Sequence, residues 1–342
     1  MANLYVTSWS GGGGKTTLCV GIGRYLQSKG KKVGYFKPVA LSITGASPGI
    51  DKDAQFAHQA LELKEPVELL SPFRLTKQEL ETGLKGADFP SKLVQSCNDA
   101  TKDKDVVLLE GLNVEGKLLQ ASCRVADILD AKVIMVIPYS ADLSREGIIS
   151  SVEKFNQRLL GIVINRVPRG GLEAACNKVA SLFSEGEIRV LGVLPEERLL
   201  LGVSVADLAE GLQAEVLCCP QASDELVENL MIGALSVDSG EDYFARKANK
   251  AVIARGERPD MHLAALTTST RCLILSGGTA PIPQVLQWAE DKGTPILLAK
   301  QDVPSIVTEI EETLLQTRFR QQAKLERLAQ VLEQHFDFQT LH

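Results

Sequence analysis

The chain has no apolar run long enough to cross a bilayer: its most hydrophobic stretch, AKVIMVI at residues 131–137, is far shorter than the ~18 residues a membrane helix needs. No membrane partner is expected. Its start, MANLYVTSWSGGGGKTT, lacks the basic segment, apolar core and cleavage site of a secretory leader, so a cytoplasmic location is expected. Cysteine is scattered rather than paired. The seven thiols (Cys19, Cys97, Cys123, Cys176, Cys218, Cys219, Cys272) are odd in number, lie mostly among apolar neighbours and have no metal-ligand spacing, as reduced core thiols do. The four histidines form no spaced cluster, and none is assigned a catalytic or metal role. Excess positive charge is missing too: 37 Lys and Arg against 43 Asp and Glu leave a net charge of −6. That argues against nucleic acid as a partner while leaving room for a local basic pocket. Low-complexity segments and short-period repeats are absent.

What is present is globular. The 342 residues are 44% hydrophobic and 23% charged, inside the usual globular range, and the length suggests about two domains. Short apolar runs at residues 4–8, 32–36, 106–110, 132–137, 160–165 and 190–194 read as strands. Several are apolar at successive positions, as parallel strands covered on both faces are. Residues 15–29, 53–62, 143–157 and 172–183 read as helices between them, which predicts an α/β fold with a doubly wound, mostly parallel sheet. A last helix at 204–212 and a strand at 214–220 mark a change of unit near residue 213. The expected domains are therefore 1–212, a smaller α/β domain at 213–322, and a helical tail at 323–342. In the second domain 251–254, 272–275 and 295–299 read as strands, with helices at 260–267, 283–292 and 303–317. In the tail, Leu325, Leu328, Leu332 and Phe336 recur at spacings of three and four, giving one apolar stripe that is expected to pack on its own chain.

The sharpest motif is LYVTSWSGGGGKTTL, starting at Leu4. An apolar strand runs into four glycines, a lysine and two threonines before a helix. Triphosphate binding needs backbone N–H groups turned inward over several residues, and Gly11, Gly12, Gly13 and Gly14 permit that close approach. The helix start adds its dipole, Lys15 puts a flexible cation on the β- and γ-phosphates, the Thr16 hydroxyl completes a Mg²⁺ shell, and Thr17 covers the α-phosphate. A merely conformational glycine turn has no need of Gly-Lys-Thr at its end. One departure is Trp9, which stands where the first glycine of GxxxxGK[ST] belongs.

The match extends past the loop. GYFKPV from Gly34, DKDA from Asp51, VLLEG from Val107, GIVINRV from Gly161 and LGVLPEERL from Leu191 resemble the dethiobiotin-synthetase-like P-loop domain of bacterial phosphotransacetylases. IGA from Ile232, KAVIARGERPD from Lys250 and LILSGG from Leu273 resemble the DRTGG domain that follows it in those enzymes. Nothing of acetyltransferase length follows residue 320, so the resemblance implies the N-terminal regulatory half alone.

Carried over residue by residue, it implies that Asp53 and Glu110 join Thr16 around Mg²⁺, with Asp51 competing for the place of Asp53. Two carboxylates near a triphosphate supply the hard oxygens this ion prefers. Asn165 matches the residue that reads the adenine edge, with Pro195, Glu196 and Glu197 as the facing loop. Lys37 follows an apolar strand and emerges at the carboxyl edge of the sheet, where it either meets phosphate or is solvated. In dethiobiotin synthetases the matching lysine holds the substrate carbamate and γ-phosphate, which casts Lys15 and Lys37 as the catalytic cations. The loop after Lys37 and the stretch Leu112-Asn-Val-Glu depart from those enzymes, so recognition of their diamine substrate is not expected.

The expected function is a Mg²⁺-ATP-binding regulatory protein with slow ATPase activity. The alternative is an ATP-dependent carboxylase or ligase of dethiobiotin synthetase type; an interaction protein with a decayed loop fits poorly with an intact Gly14-Lys15-Thr16. The glycine turns at 256–260 and 276–278 follow expected strands, as ligand-binding turns of an α/β sheet do, or are tight turns only; a small-molecule effector or a protein partner is the expected partner of the second domain. Relatives self-associate, so a homo-oligomer is expected.

Overall fold

The computed structural model describes residues 2–11, 13–42, 50–113, 116, 118–140, 142–143, 145–183, 188–233, 240–316 and 322–341. They form two compact units: one of Met1–Glu197 with Gln322–His342, the other of Arg198–Gln321. The division falls at Glu197 rather than near residue 213, and the tail belongs to the first unit. The earlier division has a physical reason: Val203–Ser204 pairs antiparallel with Leu226–Val227, and the buried Leu208 and Leu212 belong to the second unit's core.

The first unit is built on a six-stranded parallel sheet of β1 (Ala2–Ser8), β2 (Val33–Phe36), β3 (Val106–Asn113), β4 (Lys132–Pro138), β5 (Leu159–Val167) and β6 (Val190–Pro195). Their order is β2-β3-β1-β4-β5-β6, so each expected strand is present. Val133, Ile134, Met135 and Val136 are all fully buried, as a parallel strand with helices on both faces requires. The helix α1 (Lys15–Ser28) follows β1, and α2 (Lys52–Ala60) starts at Asp51, whose carboxylate accepts from the N–H groups of Asp53 and Ala54.

Four helices between β2 and β4 were not expected from the sequence: Val67–Leu70, α3 (Lys77–Lys85), which opens with a capping box between Thr76 and Glu79, Asp88–Ala100, and α4 (Leu118–Ile128). The helix expected at 143–157 is instead Arg145–Val152 followed by a tighter turn, Glu153–Arg158, broken where Asn156 has φ +48°. The second unit has a five-stranded sheet of β7 (Glu215–Val216), β8 (Asn229–Gly233), β9 (Lys250–Arg255), β10 (Thr270–Ser276) and β11 (Ile296–Leu298), ordered β7-β11-β10-β9-β8. All but β7 run parallel.

The tail helix α5 (Gln322–His335) lies on α1. Leu325, Leu328, Leu332 and Phe336 are all buried, so the stripe packs on its own chain. Close approach depends on Gly21, where an added Cβ would stand 2.1 Å from Leu332 Cδ1. Beyond α5, Phe336 bridges Gly192 and the Asp337 N–H donates to Leu191 O at 2.7 Å, covering the free edge of β6. Residues 317–321, where the notional end of one helix and start of the next were expected, lie outside the described residues. No helix among the described residues is long and apolar enough to cross a membrane.

Two outcomes are expected. Leu332→Ala leaves a cavity between α5 and α1 and lowers the stability of the first unit by about 3 kcal/mol in urea unfolding. In the second unit the buried Lys250 ammonium donates to Thr268 Oγ1 at 2.8 Å and Ser269 O at 2.9 Å, and burial pushes its pKa down to about 8. Between there and the ordinary lysine value of 10.5 the unfolded chain keeps a proton that the folded chain has released. Stability therefore gains a component that rises with pH across this window, and Lys250→Met removes it in melts compared from pH ~8 to ~10.

Candidate functional site

The first unit's polar centre lies where β1 turns into α1. Gly14 closes the turn at φ +96°, a left-handed conformation that glycine alone adopts without strain. Its missing Cβ also makes room for Asn165, whose Nδ2 would otherwise lie 2.6 Å away. Asn165 is the brace of this turn: Nδ2 donates to Gly13 O at 2.9 Å while Oδ1 accepts from the Arg166 N–H at 2.9 Å. Gly13 sits against Ser8, where an added Cβ would stand 2.8 Å from Ser8 Cβ. Trp9 ties the loop to the sheet through its N–H, which donates to Val136 O at 2.9 Å. Gly11 is exposed and Thr17 half-buried; Gly12 lies outside the described residues.

Lys15 leaves the first turn of α1 and reaches back across the loop. Its Nζ donates to Asn113 Oδ1 at 2.5 Å and to Ser8 Oγ at 3.1 Å. The pairing of β1 with β3 explains Asn113: Val6 faces Glu110, yet Ser8 faces Asn113, so an extra residue bulges from β3 between them. Tyr5 shapes the same bend, because Gly111 has no space for a Cβ beside its ring and the Leu112 N–H donates to its hydroxyl at 3.0 Å.

Beside this loop, three carboxylates, one ammonium and two hydroxyls form a compact cluster. Glu110 is only 3% exposed. Its Oε1 accepts from Thr16 Oγ1 at 3.0 Å and its Oε2 from Tyr35 OH at 2.7 Å. Thr16 Oγ1 also lies 3.1 Å from Asp53 Oδ1. Lys37 Nζ donates to Asp53 Oδ2 at 2.5 Å and to both Asp51 oxygens at 3.0 Å, and lies 3.8 Å from Glu110 Oε1. Asp51 and Asp53 thus share Lys37, but Asp51 also caps α2 and only Asp53 meets Thr16. Burial, reinforced by the Glu110 charge, pushes the Tyr35 phenol well above its ordinary value, so it stays a donor. The same two causes push up the Cys19 thiol behind the cluster, which leaves it inert.

The sequence-predicted residues fall into two groups. Thr16, Lys37, Asp53 and Glu110 are joined by the contacts above, while at the glycine loop Lys15 binds Ser8 and Asn113 and Asn165 braces Gly13. Pro195, Glu196 and Glu197 form a separate neighbourhood at the end of β6. The Glu196 N–H donates to Val167 O at 2.6 Å, and the buried Glu197 carboxylate is held by Arg169 and by Arg327 of α5, the latter at 2.7 and 2.8 Å. Sequence reasoning missed Ser8, Tyr35 and Asn113. A tyrosine inside a fully buried strand, whose hydroxyl must find a partner, was the one available signal.

The donor set is suited to a hard divalent ion. Thr16 Oγ1 lies within hydrogen-bond distance of an Asp53 and a Glu110 oxygen, and the cluster's three carboxylates outnumber its single ammonium. Among the described residues no group of three His, Cys, Asp or Glu side chains is arranged as a metal cage. Mg²⁺ seldom uses one, since it is ordinarily held by one or two carboxylates together with phosphates and water.

Tyr35→Phe leaves Glu110 Oε2 without its buried donor. The expected result is a loss of about 2 kcal/mol in denaturant unfolding without nucleotide.

A family model for an AAA domain matches residues 2–204, and one for a DRTGG domain matches residues 207–313. The phosphate acetyltransferase of Nitrosomonas europaea is 26% identical over 318 residues, covering 86% of this chain and 45% of the relative. A probable cobyric acid synthase of Methanococcus maripaludis is 29% identical over 243 residues, covering 61% of this chain and 48% of the relative. The chain spans about half the length of the curated relatives it matches. Among solved structures, the MinD cell division protein of Aquifex aeolicus is similar at 18% identity and a TM-score of 0.40, covering 59% of this chain and 85% of that one. The AAA-domain match takes in more than half of the residues and includes the phosphate loop: the chain belongs to this P-loop nucleotide-binding family and carries a DRTGG domain after it.

Proposed function

We propose that the first unit binds ATP with Mg²⁺ and hydrolyses it slowly, as the nucleotide-responsive part of a regulatory protein. The observation that carries this reading is the pairing of Lys15 with Ser8 and Asn113 across the glycine loop. It holds an ammonium over a loop braced in the shape a polyphosphate needs. The N-terminal dipole of α1 adds to that charge. Thr16, Asp53 and Glu110 would hold Mg²⁺, which when bound supplies neutralising charge beside the phosphates.

In hydrolysis, water attacks the γ-phosphorus, the bond to the β–γ bridging oxygen breaks, and ADP leaves with added negative charge. Lys15 and Lys37 are the cations placed to offset that charge. Slow turnover fits the engagement of each carboxylate of the cluster among the described residues. Asp51 and Asp53 bind Lys37, and Glu110 accepts from Thr16 and Tyr35; none is spare to take the proton of an attacking water. An effector or protein partner at the DRTGG domain, and self-association of the chain, belong to the same reading.

The likeness to a cobyric acid synthase favours one second reading, an ATP-dependent ligase. Substrate-dependent ADP formation with diaminopelargonate and bicarbonate would support it, whereas turnover indifferent to both supports the regulatory ATPase.

Titration calorimetry with ATP and Mg²⁺ tests the proposal directly. Lys15→Ala is expected to weaken binding by at least about tenfold, through loss of a charge-assisted contact. Absence of heat at millimolar ATP, or wild-type affinity in Lys15→Ala, sinks it.

A further inference from the structure

The first unit has a second concave site that the phosphate loop does not use. A cavity of about 620 Å³ opens between α3, α4 and the turn Glu153–Arg158. Its size suits a small ligand, which commonly occupies ~300–1,000 Å³. The floor is apolar: Leu84 and Leu119 are each less than a tenth exposed. The rim is basic. Lys85 comes from α3, Arg124 from α4 and Lys154 from the turn, and all three are exposed. The one acid on the lining among the described residues is Glu81.

Three cations on three elements converge on one cavity, and none has an ion pair or hydrogen bond from its side chain among the described residues. Some basic groups of this unit are matched, as Lys37 is by Asp51 and Asp53, Arg158 by Asp127 and Asp130, and Arg327 by Glu197; what sets Lys85, Arg124 and Lys154 apart is that they line one cavity from three separate elements. Among the described lining residues three cations stand against one acid, which disfavours a cationic occupant, and the apolar floor gives no partner to a bare inorganic ion beyond the rim. An anionic head with an apolar body satisfies both surfaces.

We propose that this cavity is a binding site for a small organic anion, a carboxylate or phosphate carried on an apolar skeleton, gripped by Lys85, Arg124 and Lys154 over Leu84 and Leu119. The site is separate from the phosphate loop and does not depend on the ATP reading. α4 is nonetheless the helix that follows β3, the strand bearing Glu110 and Asn113, so an occupant lies against the element adjoining the nucleotide centre.

The test uses the full chain and anilinonaphthalenesulfonate, an apolar fluorophore with one negative charge, beside its uncharged counterpart phenylnaphthylamine. The sulfonate is expected to bind the wild type more tightly than the neutral probe. Its affinity should fall about tenfold for each charge removed in Arg124→Gln and Arg124→Gln/Lys154→Gln, both exposed positions, with unfolding midpoints unchanged. Binding should persist in Lys15→Ala. Octanoate and octyl phosphate should displace it, and the stronger competitor identifies the head group. Equal affinity for both probes, indifference to the glutamine substitutions, loss in Lys15→Ala, or failure of both competitors would each overturn the proposal.

Discussion

A carboxylate enclosed in a parallel sheet is the constraint around which the first unit is arranged. Glu110 stands near the end of the strand flanked by β1 and β2, where water cannot solvate it. An isolated charge in such a place is costly unless hydrogen-bonded and matched. Four elements answer it: α1 through Thr16, β2 through Tyr35, the residues after β2 through Lys37, and the start of α2 through Asp53, which shares both Thr16 and Lys37. The Thr16 contact that helps satisfy Glu110 also ties the start of α1 to the sheet. Polar satisfaction and site geometry are one problem with one solution.

The sheet was legible because two-sided burial leaves a plain trace. Runs such as KVIMVI admit no amphipathic helix, and their alternation with helix-length segments fixed the strand count of the first sheet. The phosphate loop was legible for a related reason, since glycine, lysine and threonine at that spacing serve backbone and phosphate at once. Asp53 and Glu110 came only with the family resemblance; a strand-end acid alone has several explanations. Asn113 was beyond reach, because a bulge decides that it, rather than Leu112, faces Ser8. Bulges depend on the neighbouring strand and leave little signature of their own.

The division into units shows a different limit. A last helix and a new strand suggest a boundary near residue 213, and strands of a second sheet do follow it. The contacts that decide membership are long-range, however: Val203 pairs with Val227, and Leu332 fills the hollow above Gly21. An amphipathic stripe announces that it will be buried without saying against which surface. Arg327 makes the point for charge as well, because its partner Glu197 lies 130 positions earlier in the chain.

Because residues 198–321 are inserted between the sheet and the helix that completes it, synthesis on the ribosome meets a long pause in assembly. Once β6 has emerged, all six strands are available, yet the outer edge of β6 and the groove over Gly21 stay uncovered until Leu332, Phe336 and Asp337 appear. At ~5–20 residues per second that interval lasts on the order of ten seconds. During it the nascent chain exposes an unpaired strand edge, the kind of surface chaperones shield, while the inserted unit can already fold on its own strands.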